Sequence, residues 1–413
     1  FITWIFAKSV TNAANLGHEY GLVGGLAYAV YWLSIPVAGL VIYRLRTRAG
    51  ATGMVPFLIG KYGRFAALGF TVAVLIRLFN EVWSNTAVVG GFFGDPGQFT
   101  YYAAALLFTL FTLAYSIKGG LRSSIVTDGV QALIFVFFLG LVLFTIIPVH
   151  GIVKLASAGS FRLDAGVDLL LVALLQVLSY PFHDPVLTDR GFLNHERTML
   201  RAFVISGLLG FVVILVFSLV GIHASLSDLA IGNNAPAAVG KALGLATFFF
   251  MTAIMVTSAG STLDSTFSSL SRSMAYDTPL LRGFTEHAPS IRTGVWVMIA
   301  FAVLGNLPLF ATADILKATT ISGTMVIGLA PVFLLHGWVR YSPWSFHLSF
   351  WPGVGFGVLF AAGAMPAALA IGQGKYALLL GVNLYGLLLC TAGFLLPLAV
   401  NRAREAFASA AGR

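Results

Sequence analysis

Residues 257–269 read Thr-Ser-Ala-Gly-Ser-Thr-Leu-Asp-Ser-Thr-Phe-Ser-Ser, eight hydroxyl side chains and one carboxylate in thirteen positions of an otherwise apolar region. Hydroxyl and carboxylate oxygens are the hard ligands that a small hard cation prefers. Helical spacing sets Ser258, Ser261, Thr262 and Ser265 on one face. A single Ser or Thr in such a run packs helices closely or bonds back to a carbonyl. Eight of them around Asp264 point instead to a cation path.

Four further places put polar chemistry inside apolar runs, where an ionisable group costs about 2.5–3.5 kcal/mol on insertion scales and is a functional candidate for that reason. Lys8 stands among Thr3, Ser9, Thr11, Asn12 and Asn15, a stretch too polar to face lipid and suited to a broken helix whose free carbonyls hold a cation. A lysine snorkelling from a helix end is the alternative. Arg77 and Glu81, four apart and beside Asn80 and Asn85, read as an ion pair inside a bundle before they read as a substrate contact. Asp128 follows Gly119-Gly120 and sits where a cation leaving inward would pass, while Ser123 and Ser124 suit a helix start. Residues 179–185, Ser-Tyr-Pro-Phe-His-Asp-Pro, hold two prolines four apart, which break a helix. A broken helix at midplane is a binding-site signature in transporters; His183 and Asp184 serve equally well as a structural pair.

The elements that must position these residues are membrane helices. Of 413 residues 58% are hydrophobic and 9% charged, with mean hydropathy +0.91, against about 25% charged in soluble domains. That excludes a soluble enzyme, a nucleic-acid binder and a disordered scaffold. Stretches of about 20 apolar residues give twelve expected spans, near 1–17, 22–44, 64–93, 99–117, 124–148, 166–188, 199–222, 241–271, 290–311, 314–338, 350–372 and 376–400. When the loops are alternated between two sides, seventeen of the 24 Lys and Arg fall on one of them, which the positive-inside rule makes cytoplasmic, with both chain ends there. The net charge of +9 is therefore a topology signal and calls for no nucleic-acid partner. Cys390 is alone, so there is neither a disulfide framework nor a cysteine metal site. No zinc or haem spacing, nucleotide loop or nucleophile elbow occurs. The chain reads as no enzyme, with no cofactor, driven by an ion gradient. Its first residues, Phe1-Ile-Thr-Trp4, lie already inside an apolar segment and are read as a truncated start.

Three segments resemble the sodium:solute symporter family, which includes the sodium/glucose and sodium/proline carriers. Gly119-Gly-Leu-Arg-Ser-Ser-Ile-Val-Thr-Asp128-Gly-Val-Gln131 is similar to that family's Gly-Gly-Leu-x-x-Val-x-x-Thr-Asp-x-x-Gln stretch. Ser261-Thr-Leu-Asp264-Ser265 is similar to its Ser-Thr-x-Asp-Ser segment, and Asp184, Arg190 and Glu196-Arg197 to its Asp-Gln-x-x-x-Gln-Arg region. Their order and spacing fit over nearly the whole chain. The resemblance implies an all-α polytopic membrane protein of the leucine-transporter type, one transmembrane domain over 1–413. Its inverted five-helix repeats would cover about 1–148 and 166–338, with two extra helices at about 350–400. It implies sodium bound by Ser258, Ser261 and Thr262 with the carbonyls of Ile2 and Ile5, a role in sodium release or a second sodium for Asp128 with Ser265, and a substrate-stacking gate at Tyr180. Lys8, Ser9 and Asn80 complete the expected substrate and gate set. Lys8 and the segment Phe182-His-Asp-Pro-Val-Leu-Thr-Asp189 depart from the family pattern.

The resulting expectation is a multi-pass carrier of the inner membrane, its C-terminus cytoplasmic. It would import a small organic solute with sodium by alternating access, with an amino acid or carboxylate ahead of a sugar. A proton-coupled carrier using Lys8 or His183, and a non-transporting membrane sensor, are the rival expectations.

Overall fold

A computed structural model describes residues 4–283, 290–311 and 314–411, with the backbone alone at 119–127 and 402–411. Among them every regular element is helical. The principal helices are α1 (Ala7–Tyr20), α2 (Leu22–Ala49), α3 (Arg64–Phe93), α4 (Phe99–Lys118) and α5 (Asp128–His150), between which the backbone at 119–127 is also helical, α6 (Asp168–Gln176), α7 (Glu196–Leu226), α8 (Leu245–Arg272), α9 (Ile291–Leu304), α10 (Ile315–Met325), α11 (Pro343–Ala361) and α12 (Ala377–Ala411).

Among the described residues, eight of the twelve expected spans contain a helix long and apolar enough to cross a bilayer by itself. The other four, carried by α1, α6, α10 and α11, are broken or displaced, and the sequence gives the reasons. Phe6 is extended (φ −66°, ψ 144°), so α1 starts only at Ala7. Pro181 and Pro185 have no N–H to continue α6, and the chain proceeds as single turns, Tyr180–His183 and Pro185–Thr188. α10 stops at Met325; Ser349 of α11 donates to the Gly328 carbonyl at 2.7 Å, and a Cβ at Gly328 would stand 2.2 Å from the Ser349 carbonyl oxygen. α11 corrects the expected 350–372: it begins upstream, where Ser342 caps it and Pro343 takes the first helical position, and ends before Gly363 with φ +69°.

The packing brings polar stretches inward. α4 and α5 lie side by side against α8, since a Cβ at Gly260 would meet Gln131 Nε2 at 3.2 Å and Tyr115 Oη at 3.8 Å. α1 and α7 approach backbone to backbone: a Cβ on Gly221 would fall 1.6 Å from the Ala14 carbonyl oxygen, and one on Gly17 2.4 Å from that of Ser218. Small residues permit such contact in membrane bundles. The result is α1 held in the middle, against α2, α3, α7 and α8.

Candidate functional site

The polar residues of α1, α3 and the break after α6 meet at one place. Lys8 Nζ donates to Glu81 Oε1 at 2.6 Å, Glu81 also pairs with Arg77 one turn earlier on α3, and Arg77 Nη2 reaches Asp184 Oδ2 at 3.1 Å. All four are buried, Arg77 completely. Two cations and two carboxylates thus neutralise one another, the condition under which buried charge is tolerated. The carboxylates are held further. Asn85 Nδ2 donates to Glu81 Oε2 at 3.0 Å, and Asp184 Oδ1 caps the next turn through the Val186 N–H at 3.0 Å. The sequence offered Arg77 with Glu81 as a local pair; the fold extends it to Lys8 and Asp184, 73 and 107 residues away.

Aromatic rings line this cluster. Trp4 and Phe6 lie 5.7 Å apart, Trp4 and Tyr180 6.4 Å, and the Arg77 guanidinium carbon sits 5.3 Å from the Phe6 ring and 5.1 Å from the Tyr180 ring. Tyr180, the expected gate, is therefore at the charge cluster, stacked on a cation. His183 lies beside it, with rings 5.1 Å apart. Its Nδ1 donates to the Tyr180 carbonyl at 2.6 Å, and its Nε2 lies 3.3 Å from the Ser322 hydroxyl of α10. Ser9 and Asn80, next to Lys8 and Glu81 in sequence, are buried, and the Asn80 amide nitrogen has no hydrogen-bond partner among the described residues.

The hydroxyl run of α8 divides into two faces. Ser258 Oγ meets the Ile5 carbonyl, in the non-helical residues before α1. Thr262 Oγ1 donates to the Ser258 carbonyl at 3.1 Å. Ser261 turns the other way and donates to Asp128 Oδ1, while Arg190 Nη2 reaches Asp128 Oδ2 at 3.2 Å and Ser265 Oγ at 3.1 Å. Asp264 joins this second group through Ser265, 3.1 Å away, and Tyr115, 3.2 Å away. Of the expected sodium set, Ser258 meets Ile5, Thr262 bonds back to the Ser258 carbonyl one turn before it, Ser261 is turned to Asp128, and Ile2 lies outside the described residues. Asp128 and Ser265 both meet Arg190 Nη2.

Beyond Asp184 a cavity of about 430 Å³ begins at Pro185 and Thr188 and continues past Asp189, Arg272 and Asp277. Arg272 Nη1 bridges to Asp189 Oδ1 at 2.5 Å there. Burial and the neighbouring Asp184 charge raise the Asp189 carboxyl above its ordinary range, and Arg272 opposes that rise.

One group escaped the sequence reading. Tyr31 of α2 donates to Gln176 Oε1 at 2.6 Å, and Gln176 Nε2 donates to the Thr320 carbonyl and to Asn383 Oδ1, each at 3.0 Å. Gln176 and Asn383 are single uncharged polar residues in apolar runs, and that is the only signal they gave.

No family model and no curated protein matches the sequence. Among solved structures the chain is similar to a Na+-coupled sialic acid symporter in a substrate-bound outward-open state, with TM-score 0.63 and 13% identity over 95% of this chain and 89% of that one. It is also similar to a nucleobase-cation-symport-1 family transporter in a closed conformation with bromovinylhydantoin bound, with TM-score 0.60 and 13% identity over 95% and 90% of the two chains. At this identity the likeness is one of fold. The chain is an all-α, multi-pass membrane protein with the leucine-transporter-type fold that those transporters share.

Proposed function

We propose that the chain is a secondary active transporter of the sodium:solute symporter type, moving a small organic solute with sodium by alternating access. The observation that carries this reading is the meeting of the Ser258 hydroxyl with the Ile5 carbonyl at the non-helical start of α1. A broken membrane helix frees carbonyl oxygens, and hydroxyls from a facing helix complete a hard-cation site. Ile5, Ser258 and Thr262 would hold sodium, with Ser261 and Ile2 completing the set. Asp128, with Ser265 and Arg190, lies beside Ser261 and would take part in sodium release.

The solute would bind at the Lys8–Glu81–Arg77–Asp184 cluster, with Tyr180 as its gate, and leave through the cavity past Asp189. Sodium bound at α1 and α8 tightens the solute and the solute tightens sodium by the same factor, because linkage is reciprocal. The side rich in Arg would be cytoplasmic, in an inner membrane. The two halves, about 1–148 and 166–338, would rock against each other as repeats. That both solved transporters named above are described as coupled to Na+ or to a cation supports the reading.

The test is thermal unfolding of the full chain with amino acids, sugars and carboxylates, each in sodium or in choline at fixed pH. A solute that stabilises only in sodium supports symport, because a ligand of the folded state raises apparent stability. Stabilisation equal in both salts overturns it. A proton-coupled variant of the reading rests on Lys8, whose buried pairing with Glu81 could exchange a proton. A pH profile of uptake unchanged in Lys8→Ala would remove it.

A further inference from the structure

At the Lys8–Glu81–Arg77–Asp184 cluster the accounts of charge and of hydrogen bonds come out differently. Charge is balanced: both cations are already paired, and neither is left over for an anion. The carboxylate acceptors are also used, since both oxygens of Glu81 and both of Asp184 have partners; the Asn85 amide oxygen, whose nitrogen donates to Glu81, is the buried acceptor left open at the cluster. Donors are in surplus. Arg77 Nε, the Asn80 amide nitrogen and Trp4 Nε1 are buried and have no acceptor. Trp32 Nε1 is also without one, but its indole lies against Gly210 of α7 and belongs to the packing there.

Trp4 and Arg77 belong to a circuit with Phe6 and Tyr180, whose neighbours are 5.1–6.4 Å apart, and Asn80 precedes Glu81 on α3. Buried polar groups are ordinarily satisfied, and a set of donors without acceptors calls for a ligand with the complementary groups. An entering carboxylate would have to part Lys8 from Glu81 or Arg77 from Asp184, leaving a buried carboxylate unpaired. An entering ammonium would find every carboxylate oxygen taken. Aromatic walls favour a flat apolar body.

We propose that the solute of this site carries no net charge and presents carbonyl or amide oxygens to Arg77, Asn80 and Trp4. This rests on the transport reading above, and it replaces the carboxylate that an unpaired Lys8 would have favoured. Glu81 and Asp184 are then the residues that exclude anions: each cancels a cation that would otherwise attract one.

Thermal unfolding of the full chain tests it with three charge-matched sets: propionamide, propionate and propylammonium; benzamide, benzoate and benzylammonium; nicotinamide, nicotinate and 3-picolylammonium. Each is measured in sodium and in choline. The expected result is stabilisation by at least one amide, with its carboxylate and ammonium partners needing at least tenfold higher concentration. Stabilisation by a carboxylate or ammonium at or below the concentration of its amide, or by no amide, overturns the proposal. A carboxylate hit at or below the concentration of its amide overturns the proposal in sodium as in choline. Glu81→Gln should move the preference at least tenfold toward the carboxylate. Asp184→Asn should do the same with the Lys8–Glu81 pair intact, so misfolding of one variant leaves the other decisive. No shift in a folded variant counts against the proposal. An amide that stabilises equally in choline keeps this inference and removes the sodium reading, so the two fail separately.

Discussion

Removing Glu81 should cost more than removing Lys8, and removing both should cost less than removing Glu81 alone. Glu81→Gln leaves Lys8 without its 2.6 Å partner and leaves two buried cations beside the single carboxylate of Asp184. Breaking a buried pair in this way costs about 3–5 kcal/mol. Lys8→Met leaves Glu81 with Arg77 and with the Asn85 amide at 3.0 Å, so its charge remains compensated and the cost is smaller. In the double variant Arg77 and Asp184 still balance, and methionine fills the space of the lysine stem. The coupling energy from the four-member cycle should be favourable to the double variant by about 2 kcal/mol or more, toward the upper end of the range for contacting residues. The assay is reversible denaturant unfolding of the purified chain in one detergent, read by tryptophan fluorescence. A double variant as unstable as the sum of the two singles would refute the reasoning, because Lys8 and Glu81 would then be energetically independent.

Ser258→Ala and Thr262→Ala should each raise the sodium concentration needed for half-maximal stabilisation by about tenfold, the equivalent of roughly 1–1.5 kcal/mol for one lost polar contact; an unchanged sodium titration moves the cation elsewhere. Asp128→Asn should leave sodium-dependent solute binding within about threefold while lowering turnover in proteoliposomes, if Asp128, held by Arg190 and Ser261, serves the sodium release proposed for it; unaltered turnover contradicts the role. Gly221→Ala should destabilise the chain by about 1–3 kcal/mol or more, because its Cβ would overlap the Ala14 carbonyl at 1.6 Å. The helical Gly60, with nothing within 4 Å, should tolerate the same change. Equal unfolding midpoints for these two variants would count against the close approach of α1 and α7.

Long apolar runs were legible, and so were the breaks. α3 has the expected bounds 64–93, and Pro181 with Pro185 marked the interruption after α6. Capping was less legible: Ser342 and Pro343 start α11 several residues early because local hydropathy there is low until Phe346. The partners of Lys8 were illegible for a different reason. Glu81 and Asp184 are each recognisable as costly in lipid, yet nothing in their local spacing says that one α1 lysine and one α3 arginine join them. The two faces of α8 were likewise merged, since spacing puts Ser258 and Ser261 near one another and only the packing of α5 turns Ser261 toward Asp128. Gln176 and Asn383 carried no charge to draw attention, although they tie α2, α6, α10 and α12 together.

Sodium binding itself is the most direct test. Radiolabelled sodium should bind the purified chain saturably, resist competition by potassium and choline, and lose most of its affinity when Ser258 and Thr262 are both alanine. Absence of saturable binding, or binding indifferent to that double substitution in a folded chain, would contradict a sodium site between Ile5 and α8.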